Sequence, residues 1–89
     1  MKSIIISPFW KRYAALPEVV QRRADKAYMM WQANPYARGL NFKRVGKQKP
    51  VYSVRIGRNY RALGLLESDA ILWFWIGAHD EYERLLKHI

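Results

Sequence analysis

The spacing of apolar residues changes several times along this 89-residue chain, and each spacing predicts an element. Lys2 to Ile6 sets three isoleucines together, a β-branched run that predicts a buried first strand. Ser7 fits a helix N-cap, with Pro8 at the first helical position. Phe9, Tyr13 and Leu16 fall at helical spacing, with Lys11 and Arg12 between them. That helix is expected to end at Leu16, because Pro17 disfavours helical geometry in the residue before it. Pro17 can open a second helix, with Glu18 well placed against the helix dipole. Val20, Ala24, Ala27, Tyr28 and Trp31 form its apolar stripe, opposite Arg22, Arg23, Asp25 and Lys26, and Asn34-Pro35 stops it. A stripe of this kind packs against a sheet, and the two helices meet at a proline corner as a hairpin.

After a loop from Pro35 to Gly39, the period shortens to two. Leu40 to Val45 alternates with one polar side, and Gly46 to Pro50 is a basic turn. Val51 to Ile56 sets Tyr52, Val54 and Ile56 on one face and Val51, Ser53 and Arg55 on the other. Gly57-Arg58-Asn59 reads as a tight hairpin connection, glycine and asparagine both tolerating positive φ. Tyr60 to Leu66 is the return strand, with Arg61 near its start, and Glu67-Ser68-Asp69 is the next turn. Ala70 to Ile76 is apolar on both faces, so it lies centrally in the sheet or is covered on both sides. His79 to Lys87 can form a last helix with Tyr82, Leu85 and Leu86 on its apolar side. The expected order is β-α-α-β-β-β-α: an α+β domain with a small, mostly antiparallel sheet and an N-terminal helical hairpin packed on one face. The length fits one domain spanning residues 1–89.

Charge changes this picture. Sixteen Lys and Arg against seven Asp and Glu give a net charge of +9, which points to a polyanion or an acidic protein as partner. Without cysteine there are no disulfides or thiolate ligands, and two histidines alone cannot build a standard zinc site, so neither metal nor cofactor is expected. No apolar run approaches membrane-spanning length and Met1 to Ile6 is too short for a signal sequence, so the expected location is cytoplasmic, without a membrane partner.

Two constellations could carry chemistry. Arg38, Lys43, Arg44, Lys47, Lys49, Arg55, Arg58 and Arg61 follow one another with no acidic residue between Asp25 and Glu67. A solvated face would account for an isolated charge run. Cations on neighbouring strands should instead converge, and Tyr36, Tyr52 and Tyr60 among them suit stacking on unpaired bases. The second is His79-Asp80-Glu81-Tyr82. It reads either as the polar start of a helix or as proton carriers beside the arginines. Metal-free RNA cleavage needs a base for the 2′-hydroxyl, cations for the phosphorane and an acid for the 5′-oxygen.

With these residues in place, the chain resembles toxins of the RelE/ParE superfamily of bacterial toxin–antitoxin systems. The resemblance runs from about Ile4 to Leu86 and is most specific in VRIGRNYRAL and WIGAHDEY. It implies a toxin neutralised by a cognate acidic antitoxin. In the RelE branch it implies a ribosome-dependent mRNA endonuclease that needs no metal and inhibits translation. Carried over by position, Arg55 and Arg61 would clamp the scissile phosphate, and His79 and Tyr82 would handle protons. Lys43, Arg44, Lys47, Lys49 and Arg58 would bind RNA. Two departures stand out: His79 and Tyr82 are followed by Glu83 to Leu86, so they sit in a helix and not on a free tail, and the Leu40 to Val51 region has no glutamate base. The ParE branch, which poisons DNA gyrase without cutting RNA, shares the fold and tolerates loss of these residues. A plain RNA-binding module is a third reading.

Overall fold

A computed structural model describes residues 1–89. Its elements are β1 (Lys2–Ile5), α1 (Ser7–Ala14), α2 (Glu18–Ala33), β2 (Lys43–Arg44), β3 (Val51–Ile56), β4 (Tyr60–Glu67), β5 (Ala70–Ala78) and α3 (His79–Leu86). The strand expected over Leu40 to Val45 is reduced to the two-residue β2, and with it the sheet has five strands where the expected order counted four. The strands form one sheet in the order β1-β5-β4-β3-β2, antiparallel except for the parallel pair of β1 and β5.

The α1–α2 hairpin covers one face of this sheet. Phe9, Ala24, Ala27 and Trp31 pack there on Val54, Ile56, Ala62, Ile71, Trp73 and Ile76. The stripe on α2 is buried as its period implies, with Tyr28 at the rim exchanging a 2.8 Å hydrogen bond with Ser3 Oγ. The other face has a smaller core, Val51, Leu63, Trp75 and Tyr82, under α3 and the C-terminal residues Leu85, Leu86 and Ile89.

The double-faced hydrophobicity of β5 follows from this sandwiching. Leu63 pairs with Trp75 but the next residue, Gly64, pairs with Trp73, so Phe74 is an extra residue in β5. Such a bulge shifts the phase of alternation. Trp73 therefore joins the hairpin core while Trp75 joins the α3 core. No helix is long and apolar enough to cross a membrane.

Two local expectations are corrected. Strand β1 is not buried: it is an edge strand with one neighbour, and Ile4 is 51% exposed. The N-cap of α1 is Ile6, not Ser7. The Ile6 N–H closes the sheet ladder on the Trp73 carbonyl at 3.1 Å, and its own carbonyl accepts the Phe9 N–H at 3.0 Å, so the helix starts directly from the strand end.

Candidate functional site

The register of β3 and β4 sets Arg55 directly opposite Arg61, on the face that carries α3. Like charges in that position destabilise a sheet. The turn between them relieves part of the conflict through its carbonyls. Gly57, at φ +63°, turns the chain, and its carbonyl accepts the Arg55 Nε–H at 3.0 Å. Arg61 Nη1 donates to the carbonyls of Tyr60 (2.8 Å) and Arg58 (3.3 Å). Neither guanidinium is in an ion pair. Burial, and then the neighbouring Arg55 charge, lowers the pKa of Arg61 from its ordinary value, while Tyr82 and Glu83 oppose the shift. An arginine remains protonated through a shift of this kind at neutral pH. The pair is thus a fixed, unneutralised positive charge, partly desolvated, at one end of the sheet.

Helix α3 begins at that same end. The His79 backbone N–H donates to the Asn59 carbonyl at 2.8 Å, pinning the first turn of α3 to the β3–β4 turn. Asp80 and Glu81 occupy that first turn, where the helix dipole favours acidic groups. The His79 imidazole is part-exposed, with Nε2 3.2 Å from Glu83 Oε1 one helical turn on. Its ring centroid is 5.8 Å from that of Tyr82, and the Arg61 guanidinium carbon lies 5.8 Å from the same Tyr82 ring, within cation–π range.

Tyr82 itself is only 5% exposed, and its hydroxyl donates to the buried Ser53 Oγ at 3.2 Å. Its ring is the floor on which Arg61 and His79 rest, and its hydroxyl points into the protein. The His79-Asp80-Glu81-Tyr82 cluster therefore divides. Glu81 turns to the other side, accepting from Arg12 Nη2 at 2.9 Å, while Arg12 Nε–H caps the Ile76 carbonyl at 2.8 Å. Glu83, which the sequence reading passed over as a site residue, joins His79. Its signal was the i, i+4 spacing.

The basic run does not converge on one spot. Lys43 pairs with Ser53, which places it on the Arg55 face. Arg44 pairs with Tyr52, on the hairpin face, and its Nε–H donates to the Gly46 carbonyl at 3.0 Å. Arg58 is exposed in the β3–β4 turn. Lys47 and Lys49 lie in the loop before Val51, at the far end of β3, and Val51 itself is about 13 Å from Arg55 at ~3.3 Å of rise per residue. The Lys47 N–H there holds the Ile89 carbonyl at 2.8 Å. Lys43, Arg55, Arg58 and Arg61 thus form one basic end, with Lys47 and Lys49 separate from it. No three or more His, Asp or Glu side chains gather to hold a metal ion. Chemically, the arginine end can grip a phosphodiester and stabilise added negative charge, with one part-exposed imidazole available to move a proton.

The comparisons with known proteins agree with this architecture. A family model described as ParE-like toxin domain matches residues 18–84. A chain of the RelB–RelE antitoxin–toxin complex from Methanococcus jannaschii superposes with a TM-score of 0.74 at 18% identity, over 92% of this chain and 96% of that one. The YoeB/ParE toxin from Agrobacterium tumefaciens gives 0.68 at 13% identity, covering 89% and 99%. The isolated E. coli RelE toxin gives 0.65 at 14% identity, covering 98% and 96%. At these identities the three structures establish the fold. No curated protein matches the sequence.

Proposed function

This chain belongs to the family of ParE-like toxin domains, and we propose that it is the toxin of a toxin–antitoxin system and, from the geometry of its basic end, that it cuts mRNA on the ribosome. The observation that carries the nuclease reading is the Arg55–Arg61 pair, unneutralised and adjoining the His79–Glu83 pair at one end of the sheet. In the proposed reaction the 2′-oxygen attacks phosphorus and the bond from phosphorus to the 5′-oxygen breaks. The products are a 2′,3′-cyclic phosphate and a 5′-hydroxyl. Arg55 and Arg61 hold the phosphate and stabilise the charge that accumulates on its oxygens. His79, oriented by Glu83, gives its proton to the leaving 5′-oxygen. The 2′-hydroxyl proton leaves to a ribosomal group. Tyr82 supports Arg61 and His79 through its ring, while Lys43 and Arg58 bind the flanking backbone, with Arg44 next to Lys43 and Lys47 and Lys49 in the loop beyond it.

The scarcity of exposed proton carriers supports the dependence on a ribosome. One imidazole cannot both take the 2′-proton and protonate the 5′-oxygen in a single step, so the ribosome supplies the in-line geometry and the second proton path. The net charge of +9 suits an acidic antitoxin folding over the basic end, and the similar M. jannaschii structure is an antitoxin–toxin complex of RelB and RelE. Mapping of new RNA 5′ ends in a translating extract, with and without ribosomes, tests the proposal. Ribosome-dependent cuts that vanish in Arg61→Ala are expected; intact RNA from folded, growth-arresting protein would refute it. The burial of the Tyr82 hydroxyl favours a second reading, a gyrase inhibitor that needs no proton carrier. It predicts lost supercoiling with RNA left whole.

A further inference from the structure

We propose that the segment between α2 and β2 forms a pocket for one unpaired base of single-stranded RNA, next to the phosphate held by Arg55. This deepens the nuclease reading and rests on it for its place in a reaction. An open cleft of about 370 Å³ lies against Arg55, lined by Tyr36, Arg38, Gly39, Asn41 and Phe42.

The loop that builds the cleft is fixed on both sides. Asn34 Oδ1 accepts the Tyr36 N–H at 3.0 Å, and the Asn34 carbonyl accepts the Ala37 N–H at 3.0 Å, which folds the start of the loop into a turn. At its other end the Leu40 carbonyl accepts the Arg55 N–H at 2.7 Å, tying the cleft to the strand that carries the phosphate clamp. Tyr36 is 69% exposed yet not loose. Its ring leans on Phe42 at 5.6 Å, and Phe42 is stacked on Tyr52 at 5.0 Å. An exposed aromatic ring with a rigid apolar backing offers a stacking platform at little entropic cost.

The polar groups agree with that use. Arg38 and Arg55 have no carboxylate partner, so the cleft has two cations for a phosphate. Asn41 brings an amide, whose donor and acceptor pair with a base edge. An acidic peptide would engage the two arginines but has no use for a flat platform and an amide. A paired base would first have to be unpaired and unstacked to reach the ring, a cost that an unpaired one does not carry. Unpaired RNA uses all three features together.

Binding is read by fluorescence anisotropy on labelled single-stranded RNA of about eight nucleotides, against an abasic oligomer of the same length and charge. Tyr36→Ala is expected to weaken binding of the base-bearing oligomer roughly tenfold while leaving the abasic one unchanged. Tyr36→Phe should restore it, and Arg38→Gln should weaken both oligomers alike. Equal weakening of both oligomers by Tyr36→Ala, or no weakening, overturns the base pocket. So does a Tyr36-dependent loss of binding to an oligo-glutamate peptide with RNA binding unaffected, which would assign the cleft to a protein partner. The measurement does not require cleavage, so it separates this inference from the nuclease reading. If the extract shows no cuts but the Tyr36 difference between oligomers holds, the pocket stands and the nuclease fails. In a cutting extract, Tyr36→Ala should also flatten the base preference at the nucleotide beside the cut.

Discussion

Tyr82→Phe separates two roles that one residue could play. The resemblance to RelE-type toxins implies a proton carrier, whereas the structure buries the hydroxyl against Ser53 Oγ at 3.2 Å, with Ser53 itself only 2% exposed. Removing the hydroxyl deletes one neutral hydrogen bond, worth ~1 kcal/mol net, and leaves a buried serine hydroxyl without its partner, for a total of about 1–2 kcal/mol. In a domain of this length that lowers Tm by roughly 5–15 °C at ~4–8 °C per kcal/mol. Ser53→Ala should cost a similar amount, because it strands the tyrosine hydroxyl instead. The double variant, with both groups gone, should cost less than the two singles together, giving a coupling of about 1 kcal/mol. Urea unfolding of the four proteins measures this cycle, and end mapping in the translating extract measures activity on the same preparations. Cleavage by Tyr82→Phe should stay within about threefold of the parent below its Tm, since the ring still supports Arg61 and His79. Unchanged stability with cleavage reduced by about a hundredfold or more would refute the assignment and restore Tyr82 as a proton carrier.

Arg55→Gln removes the like-charge cross-strand pair, so it should raise stability by a few tenths of a kcal/mol in urea unfolding while lowering cleavage by about a hundredfold. Gly77→Ala would put a Cβ 2.6 Å from Trp75 Cζ2 and 2.9 Å from Arg12 Nη2, so overpacking of about 1–3 kcal/mol is expected in the same assay. Tyr13 has a pKa raised above its ordinary 10.0, chiefly by its hydrogen bond to Asp25, then by burial and the Asp25 charge. Because the raised value belongs to the folded state, the contribution is present in full below pH ~10 and is lost as pH rises through the folded pKa. The parent should therefore lose more stability than Tyr13→Phe between pH 8 and about pH 11, measured by urea midpoints; equal losses would contradict the sign.

Much of the fold was legible because it depends on period. The α2 stripe, the alternation of β3 and the two-faced apolarity of β5 each state a burial pattern that only a hairpin-covered sheet satisfies. The place of β1 was not legible. Ser3, Ile4 and Ile5 look alike at an edge or in the middle, and only the parallel register with β5, set by a partner some seventy residues away, decides it. The bulge at Phe74 was hidden for a similar reason, since Trp73, Phe74 and Trp75 are apolar in either phase. At the site, the opposition of Arg55 and Arg61 follows from a three-residue turn and could be read directly. That Tyr82 faces the core was legible from its spacing with Leu85 and Leu86, but the partner of its hydroxyl and the side taken by Glu81 were not: both depend on how α3 is rotated over the sheet, which Trp75 and Leu63 settle from β5 and β4.

If His79 carries the proton as proposed, the rotation of α3 also accounts for how it can do so from a helix and not from a free tail. A tail residue reaches its substrate by ordering on binding, with an entropic cost of roughly 1–2 kcal/mol for each residue fixed. Here the helix is held at both ends before any substrate arrives, by the His79 N–H on the Asn59 carbonyl and by the Ile89 carbonyl on the Lys47 N–H. Between these ties, Tyr82, Leu85 and Leu86 dock on Val51, Leu63 and Trp75. The small second core is therefore what places the imidazole beside the arginines. Loosening its far end should then disturb the site without touching it. Leu86→Ala, remote from Arg61 along α3, removes part-buried apolar surface at a cost of about 1–2 kcal/mol and should free the last turn first. Hydrogen exchange should show faster opening across residues 79–89 and little change in α2, and cleavage should fall with the fraction of α3 undocked. Opening spread evenly over the whole chain would mean that the two faces of the sheet unfold as one unit, and that His79 owes its position to global stability alone.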